Sequence, residues 1–185
     1  LNADNSTDDN YILEKTEDFN VSYPMDWDKK IKGEILELGR SCVHKDYRRN
    51  LIINLLWKGV ARYANRHKAR FLFGCPRLDT QKRDEISRIF SFLKEKYYAD
   101  DTFRVYPLSD CRIELKDTLK IENQGAVFKQ LSPLVKGYLR MGALVCGEPA
   151  LYKEFGSIVL FMLLDIHKIK SSYGQRFGVF LDKEN

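Results

Sequence analysis

The sequence lacks the short motifs that identify most nucleotide, metal and hydrolase sites. It contains no G-x-G-x-x-G, no G-x-x-x-x-G-K-[ST], no H-E-x-x-H and no G-x-S-x-G. Histidine occurs only three times in 185 residues, so a histidine-based catalytic triad is hard to assemble. The longest uninterrupted apolar run, Ile158–Leu164, is far shorter than the about 20 residues that a membrane-spanning helix needs.

Cysteine is also scarce, and its spacing does not suggest a metal site. Cys42, Cys75, Cys111 and Cys146 are separated by 33, 36 and 35 residues, without a C-x-x-C pair. Because structural zinc ligands usually come in close pairs, we expect no metal. Buried free thiols in a reducing compartment are the better interpretation, so we expect a cytoplasmic location.

Charge is unevenly distributed along a chain of ordinary globular composition, with 44% hydrophobic and 31% charged residues. Residues 1–34 hold nine acids and four bases, whereas residues 40–70 hold nine bases and one acid. The basic segment is either a solvated helix face or a surface that meets an anion, such as a phosphate, an acidic protein or a lipid headgroup.

Hydrophobic periodicity predicts an α/β (α+β) fold. Strands alternate with amphipathic helices in the first half, and two strands joined by a loop follow the last helix, which argues against a purely parallel sheet. The predicted strands are Glu34–Val43 (with Gly39 as a bulge), Arg70–Cys75, Ala143–Cys146 and Ser157–Leu164, and the predicted helices are Asn50–Lys68, Thr80–Tyr97 and Leu131–Met141. Phe103–Tyr106 and Cys111–Leu115 are either short strands or part of a polar insert.

The junction between the first strand and first helix is the most informative local feature. A polar, basic turn leads into a helix N-terminus, where backbone N–H groups and the helix dipole favour a phosphate or pyrophosphate. Arg48 and Arg49 would add positive charge at this place. Many such junctions bind nothing, so the junction alone does not decide the function.

Two blocks of sequence resemble a known family. They are ELGRSCVHKDYR (37–48) with LLWKGVARYANRHKARFLFGCPRL (55–78), and LSPLVKGYLRMGALVCGEPALYKEFGSIVLFMLL (131–164). Together they are similar to the N-acyltransferases that make lyso-ornithine lipids, often labelled hemolysin-like. That family is a branch of the GNAT superfamily, related to N-acyl amino acid synthases and acyl-homoserine-lactone synthases.

The resemblance implies a GNAT-like mixed sheet flanked by helices. It places the acyltransferase core at residues 34–170, after an arm or connection at 1–33 and before a tail at 171–185. Residues 1–33 are too few to supply the first strands of a GNAT fold, so we expect this chain to lack those strands.

The reaction implied by the resemblance transfers a fatty acyl group, which can carry a 3-hydroxyl group, from an acyl carrier protein thioester to the α-amine of an amino acid such as ornithine. Glu37 is the candidate base and Arg40 matches the family's Glu-x-x-Arg element; a salt bridge is the alternative role of Glu37. In a regular strand these two side chains point to opposite faces, so the interpretation that both act at one site requires the bulge at Gly39.

The acyl donor implies a second set of residues and a protein partner, with no covalently bound cofactor. The chain lacks the glycine-rich pyrophosphate loop of acetyl-CoA users, so we favour the phosphopantetheine of acyl carrier protein over acyl-CoA. The basic segment suits such an acidic partner. Backbone N–H groups at Ser41, Cys42 and Val43 would hold the oxyanion, and Tyr47, Arg48, Arg49 and Asn50 the phosphate.

Acceptor recognition is assigned by the resemblance to Tyr138, Arg140 and Glu148, although helix packing and a turn position explain Tyr138 and Glu148 equally well. Many relatives carry an acid near Val159, so ornithine, glycine and lysine all stay open. We expect an acyl groove formed by Leu38, Phe71, Phe73 and Leu160. The amphipathic product suggests peripheral contact with the inner membrane face.

Two further functions stay open. One is signal synthesis of the N-acyl-amino-acid or acyl-homoserine-lactone type. The other is a non-catalytic, carrier-protein-binding remnant of the GNAT fold. Nucleic-acid binding is disfavoured, because the basic segment is largely helical and lacks an aromatic stacking platform.

Overall fold

A computed structural model describes residues 19–20, 34–39, 43–44, 47, 50–116 and 119–169. Within these ranges the expectation of an α/β fold with a mixed sheet is confirmed. The strands are β1 (Phe19–Asn20), β2 (Glu34–Glu37), β3 (Ala69–Gly74), β4 (Tyr106–Pro107), β5 (Leu144–Val145), β6 (Ala150–Tyr152), β7 (Ser157–Val159) and β8 (Met162–Asp165). The helices are α1 (Asn50–Arg66), α2 (Arg83–Tyr97), α3 (Gln124–Gln130) and α4 (Pro133–Met141).

The main sheet has four strands in the order β2-β3-β8-β5. β2 and β3 pair in parallel, with α1 as the crossover between them, and β8 is antiparallel to both β3 and β5. β5 therefore runs in the same direction as β2 and β3. The carboxyl ends of these three strands lie at the same end of the sheet, and Glu37 is the last residue of β2 there.

Each face of this sheet has its own apolar cluster. Leu72 of β3 packs with Trp57 and Tyr138 on the helical face, whereas Phe71 and Phe73 pack with residues of the opposite face. This division follows from the two-residue alternation of side chains along a strand. Burial on both faces explains why β3 reads as a continuous apolar run.

Local sequence signals account for both ends of α4. Ser132 accepts a hydrogen bond from the Val135 N–H, Pro133 opens α4, and Gly142 ends it in the left-handed conformation at φ 106°. α1 ends at Arg66, two residues before its predicted end, and Lys68 has φ 51°. The termini of α4 therefore follow rules that the sequence already displays.

Several predicted elements differ from the structure. β2 ends at Glu37, not Val43, and the register shift in its pairing with β3 lies between Glu34 and Ile35. The bulge expected at Gly39 borders residues that are not described and stays a prediction. The strand expected over Ser157–Leu164 is β7 and β8, separated by two residues. α3 and β6 were not anticipated, and Cys111–Leu115 forms only an isolated bridge, Arg112 to Ala150.

The expectations for the chain termini fall mostly outside the described residues. Residues 1–18, 21–33 and 170–185 are not described, so the boundaries at 33/34 and 170/171 and the missing first strands stay predictions. Among the described residues, no helix combines the length and apolarity needed to cross a bilayer.

Candidate active site

The site is built at the carboxyl ends of β2 and β3, where Leu38–Gly39 lies beside Phe73–Gly74; we call these four residues the strand fork. The Leu38 N–H donates to the Phe73 carbonyl at 2.7 Å, one residue beyond the end of β2. Gly74 continues β3 and pairs with Met162 of β8. Leu38 is the last residue whose pairing with β3 lies within the described ranges, because residues 40–42 are not described.

Gly74 is needed at the fork because two oxygen atoms converge on it. A Cβ at this position would lie 2.6 Å from the Tyr138 hydroxyl oxygen and 3.0 Å from the Leu38 carbonyl oxygen. Real Cβ contacts are not that short, so a larger residue would displace one of these groups. Nothing in the sequence pattern singled out Gly74, whose one signal was a glycine at the end of a buried strand.

Tyr138 reaches the fork from α4 and is held there by aromatic packing. Its ring meets Trp57 of α1 edge-on, with centroids 5.0 Å apart and planes at 86°. The side chain is only 2% exposed, and this burial raises the pKa of its phenol above the usual range, with a smaller contribution from the nearby Cys75 thiol. Tyr138 therefore presents a fixed, neutral hydroxyl group.

Glu37 lies at the same fork on the other face of the sheet. It pairs with Phe73, which pairs with Leu163, and both apolar partners belong to the cluster opposite the helices. Leu36 and Leu38 pack against the helical cluster instead. The Glu37 side chain is exposed, and its Oε1 lies 3.8 Å from the Cβ position of Gly39.

The predicted donor-binding residues are only partly described. Arg40, Ser41, Cys42, Arg48 and Arg49 lie outside the described residues. Asn50 begins α1, Val43 is half-buried, and Tyr47 is 63% exposed. The Tyr47 N–H donates to the His44 carbonyl at 2.9 Å.

The three predicted acceptor-binding residues are not brought together. Tyr138 is buried, whereas Arg140, two residues later on α4, is exposed with its guanidinium 5.7 Å from the Phe128 ring centroid. Glu148 is exposed beyond β5, three strands from β2, which corresponds to about 14 Å. Its charge raises the pKa of Tyr98, a smaller effect than burial of that phenol. Their roles stay predictions.

The expectation that Leu38, Phe71, Phe73 and Leu160 form one acyl groove is wrong. Phe71 and Phe73 belong to the cluster on one face of the sheet, whereas Leu160 belongs to the helical cluster and Leu38 packs against it. The physical reason is the alternation of neighbouring side chains in an extended chain. The four residues therefore cannot line a single groove.

Comparison with known proteins places the fork within a recognised domain. The family model described as "Acetyltransferase (GNAT) domain" matches residues 13–58, which include β2, the fork residues Leu38 and Gly39, and half of α1. The match begins inside the segment predicted to be an arm. No solved structure matches significantly.

Curated relatives match most of the chain. They include L-ornithine N(alpha)-acyltransferases from Brucella abortus (35% identity over 78% of this chain and 52% of the relative), Rhizobium meliloti (32%, 77% and 49%) and Agrobacterium fabrum (28%, 77% and 49%). This chain spans about half the length of the curated relatives it matches. The resemblance stated from the sequence is confirmed.

Proposed function

This chain is homologous to the L-ornithine N(alpha)-acyltransferases over about three quarters of its length, and from that premise we propose that the protein is an N-acyltransferase. It transfers a fatty acyl group from a thioester to the α-amine of an amino acid, with ornithine as the first acceptor to test. The observation that carries the proposal is the strand fork, with an exposed carboxylate on one face and a buried hydroxyl on the other.

The chemistry requires a base, because an α-amine is mostly protonated near pH 7 and must lose a proton to attack a carbonyl. Glu37 is exposed beside the fork and is the base in this proposal, directly or through a water molecule. The amine nitrogen then bonds to the acyl carbon, the C–S bond breaks, and the sulfur leaves as a thiolate. Arg40, if it follows the family element, holds the carboxylate of Glu37 or of the substrate.

The acyl donor in this proposal is carried by acyl carrier protein, and acyl-CoA is the alternative. Support comes from α1, whose sequence contains no acidic residue and whose Lys58 and Arg62 are exposed. Such a surface attracts an acidic protein partner and speeds its encounter. Whether the acyl chain carries a 3-hydroxyl group stays a prediction.

Peripheral contact with the inner membrane face is a further part of the proposal. Leu55 and Leu56 on α1 are 60% and 39% exposed, next to the bases that face solvent. Exposed leucines beside basic side chains are typical of surfaces that lie in a lipid interface. A cytoplasmic location follows from the same proposal.

The names of the relatives support ornithine as the acceptor, but Val159 leaves glycine and lysine as alternatives. Val159 is buried in β7, so this residue contributes through packing. Its side chain offers no charge that could bind an acceptor. Glu148 is the remaining described acid among the predicted acceptor residues. A signal-synthase function would replace the amino acid by S-adenosylmethionine.

The test incubates the full-length protein with acyl carrier protein thioester and, separately, ornithine, glycine, lysine or S-adenosylmethionine. We expect an N-acyl amino acid, detected by mass spectrometry, with ornithine giving the highest kcat/KM. A preference for S-adenosylmethionine would favour the signal synthase. Binding of the carrier protein without turnover of any acceptor would favour the non-catalytic module.

A further inference from the structure

We propose that a cleft between α2, residues 112–115 and the β6–β7 hairpin binds an N-acyl amino acid, with the acyl chain on an apolar floor and the carboxylate on Arg112. This inference rests on the acyltransferase function proposed above, whose product is an amphiphile of this kind. The cleft shares no residue with the strand fork, so it is a second site on the protein.

The size of the cleft suits one acyl chain. Its volume is about 390 Å³, and it is open to solvent where the start of α2 meets the connection after Cys111. Sites for small molecules typically have volumes of about 300–1,000 Å³. At about 30 Å³ for each group of the size of a water molecule or a methylene, the cleft has room for about a dozen methylenes.

The floor of the cleft is apolar. Ile86 of α2 and Ile158 of β7 are buried members of the helical cluster. Ile113, Leu115 and Leu151 also line the cleft and are half-buried, so they keep apolar surface that the protein itself leaves uncovered. Because covering such surface is favourable in water, the floor is suited to a hydrocarbon chain.

The charged residues of the cleft leave one guanidinium group for a carboxylate. Arg83 is bonded to Glu114 at 2.9 Å, so its charge is already matched by an acid. Arg112 is exposed, its Nε donates to the Pro107 carbonyl at 3.4 Å, and it forms no ion pair with any other described residue. A guanidinium group binds a carboxylate through two parallel hydrogen bonds, so Arg112 is the residue that fits the amino acid's carboxylate.

Polar contacts between the walls fix the shape of the cleft. Lys116 joins the segment after Cys111 to α2 twice, through Nζ to the Asp84 carboxylate at 2.7 Å and through its N–H to the Ser87 hydroxyl at 3.0 Å. Gln81 Nε2 donates to the Gly156 carbonyl at 2.7 Å and so joins the start of α2 to the β6–β7 hairpin. A ligand that enters a preformed cleft loses less affinity to ordering of the protein.

The first test measures binding of N-dodecanoyl-ornithine to the full-length protein by isothermal titration calorimetry, below the concentration at which this ligand forms micelles. N-hexanoyl-ornithine should bind at least 100-fold more weakly, because each methylene covered by the protein contributes about fourfold in affinity. An affinity that does not depend on chain length would overturn the proposal. Tighter binding of dodecanoate than of N-dodecanoyl-ornithine would overturn the choice of an N-acyl amino acid over a free fatty acid.

The second test concerns the carboxylate of the ligand. Arg112→Gln should weaken binding of N-dodecanoyl-ornithine about tenfold and leave binding of N-dodecanoyl-ornithine amide, which has no carboxylate, unchanged. The matched control is Arg88→Gln, because Arg88 is an exposed arginine of α2 that contacts Gln130 outside the cleft. Equal losses in the two variants, or an equal loss for the amide, would overturn the assignment of Arg112.

The third test fills the floor. Leu151→Trp should weaken binding of N-dodecanoyl-ornithine at least tenfold, because the larger side chain occupies the volume of the acyl chain, and Leu115→Gln, which makes the floor polar, is a second variant in case the first does not fold. Melting temperatures near that of the wild type show that a variant is folded. Wild-type affinity in a folded variant of either kind would overturn the proposal. Acyl transfer to ornithine is assayed separately: binding in the cleft without turnover would contradict the proposed function alone, and turnover without binding in the cleft would contradict this inference alone.

Discussion

The hydroxyl oxygen of Tyr138 lies 2.6 Å from the place where a Cβ on Gly74 would be. This contact joins the last helix before β5 to the last residue of β3, beside the carboxyl end of β2. It explains why β3 ends in glycine. It also means that a larger side chain at position 74 and the hydroxyl group at position 138 would compete for the same space.

That competition predicts non-additive effects on stability. Gly74→Ala alone should lower the free energy of unfolding by about 1–3 kcal/mol, because the added methyl overpacks the fork. In a Tyr138→Phe background the cost should fall by about 1 kcal/mol, because the nearest obstructing atom is gone. Urea denaturation of the four proteins measures the coupling, and strictly additive losses would show that the two residues do not share this space.

Carrier-protein delivery predicts a salt-dependent loss on α1. Lys58→Glu with Arg62→Glu should lower kcat/KM for acyl carrier protein thioester about tenfold at low ionic strength, and the difference should narrow as salt screens the charges. Turnover of acyl-pantetheine should stay unchanged. The matched control is Lys96→Glu with Lys129→Glu, on exposed positions of α2 and α3. Equal effects of the two pairs would contradict a docking surface on α1.

Two serines of α2 fix the connection that follows Cys111. The Ser87 hydroxyl accepts from the Lys116 N–H at 3.0 Å, and Ser91 accepts from the Leu119 N–H at 2.9 Å while donating to the Ser87 carbonyl at 2.8 Å. Because both serines are buried, Ser91→Ala leaves a backbone N–H without its acceptor and should cost about 1–3 kcal/mol of stability. Ser91→Cys or the exposed Ser109→Ala serves for comparison in the same denaturation series. A change below about 0.3 kcal/mol would mean that water replaces the serine.

Cysteine reactivity should separate the thiols by burial. Cys75 is exposed, whereas burial raises the pKa of Cys146 to about 12. At pH 8 an alkylating reagent should therefore modify Cys75 in the native protein and Cys146 only after unfolding, as mapped by peptide mass spectrometry. Labelling of Cys146 at the rate of Cys75 would contradict its burial.

The raised pKa of Cys146 also predicts a pH-dependent stability. Because the native state holds the Cys146 proton at a pH where the unfolded chain has lost it, the free energy of unfolding should fall as pH rises above about 9.

The elements that the sequence predicted best are those with strong periodicity and local end signals. α1 and α4 were anticipated within two residues, since their apolar faces repeat at helical spacing and Pro133 marks the start of α4. The sequence left Cys111–Leu115 as either a short strand or part of an insert, whereas in the structure the hydroxyls of Ser87 and Ser91 bind N–H groups just beyond it. Hydrogen bonds from side chains that are distant in sequence cannot be predicted from the local alternation of polar and apolar residues.

The site was predictable only where it is local in sequence. Glu37 was proposed as a site residue from one contiguous motif, but the alternation of Glu34–Val43 could not show that the strand ends at Glu37. The contact between Gly74 and Tyr138 joins two motifs through tertiary packing, which no single-residue pattern encodes. The division of the expected groove between two faces has a different origin, the alternation of side chains along extended strands.

The central claim is that Glu37 takes a proton from the attacking amine at the strand fork. Single-turnover acyl transfer to ornithine should be compared for wild type, Glu37→Gln and the control Glu122→Gln, an exposed glutamate outside the fork, between pH 7 and pH 10. We expect Glu37→Gln to lower the rate about 100-fold or more at pH 7, and this loss should shrink at higher pH as the amine deprotonates unaided, with Glu122→Gln unaffected. Equal rates for Glu37→Gln and wild type across this range would contradict it.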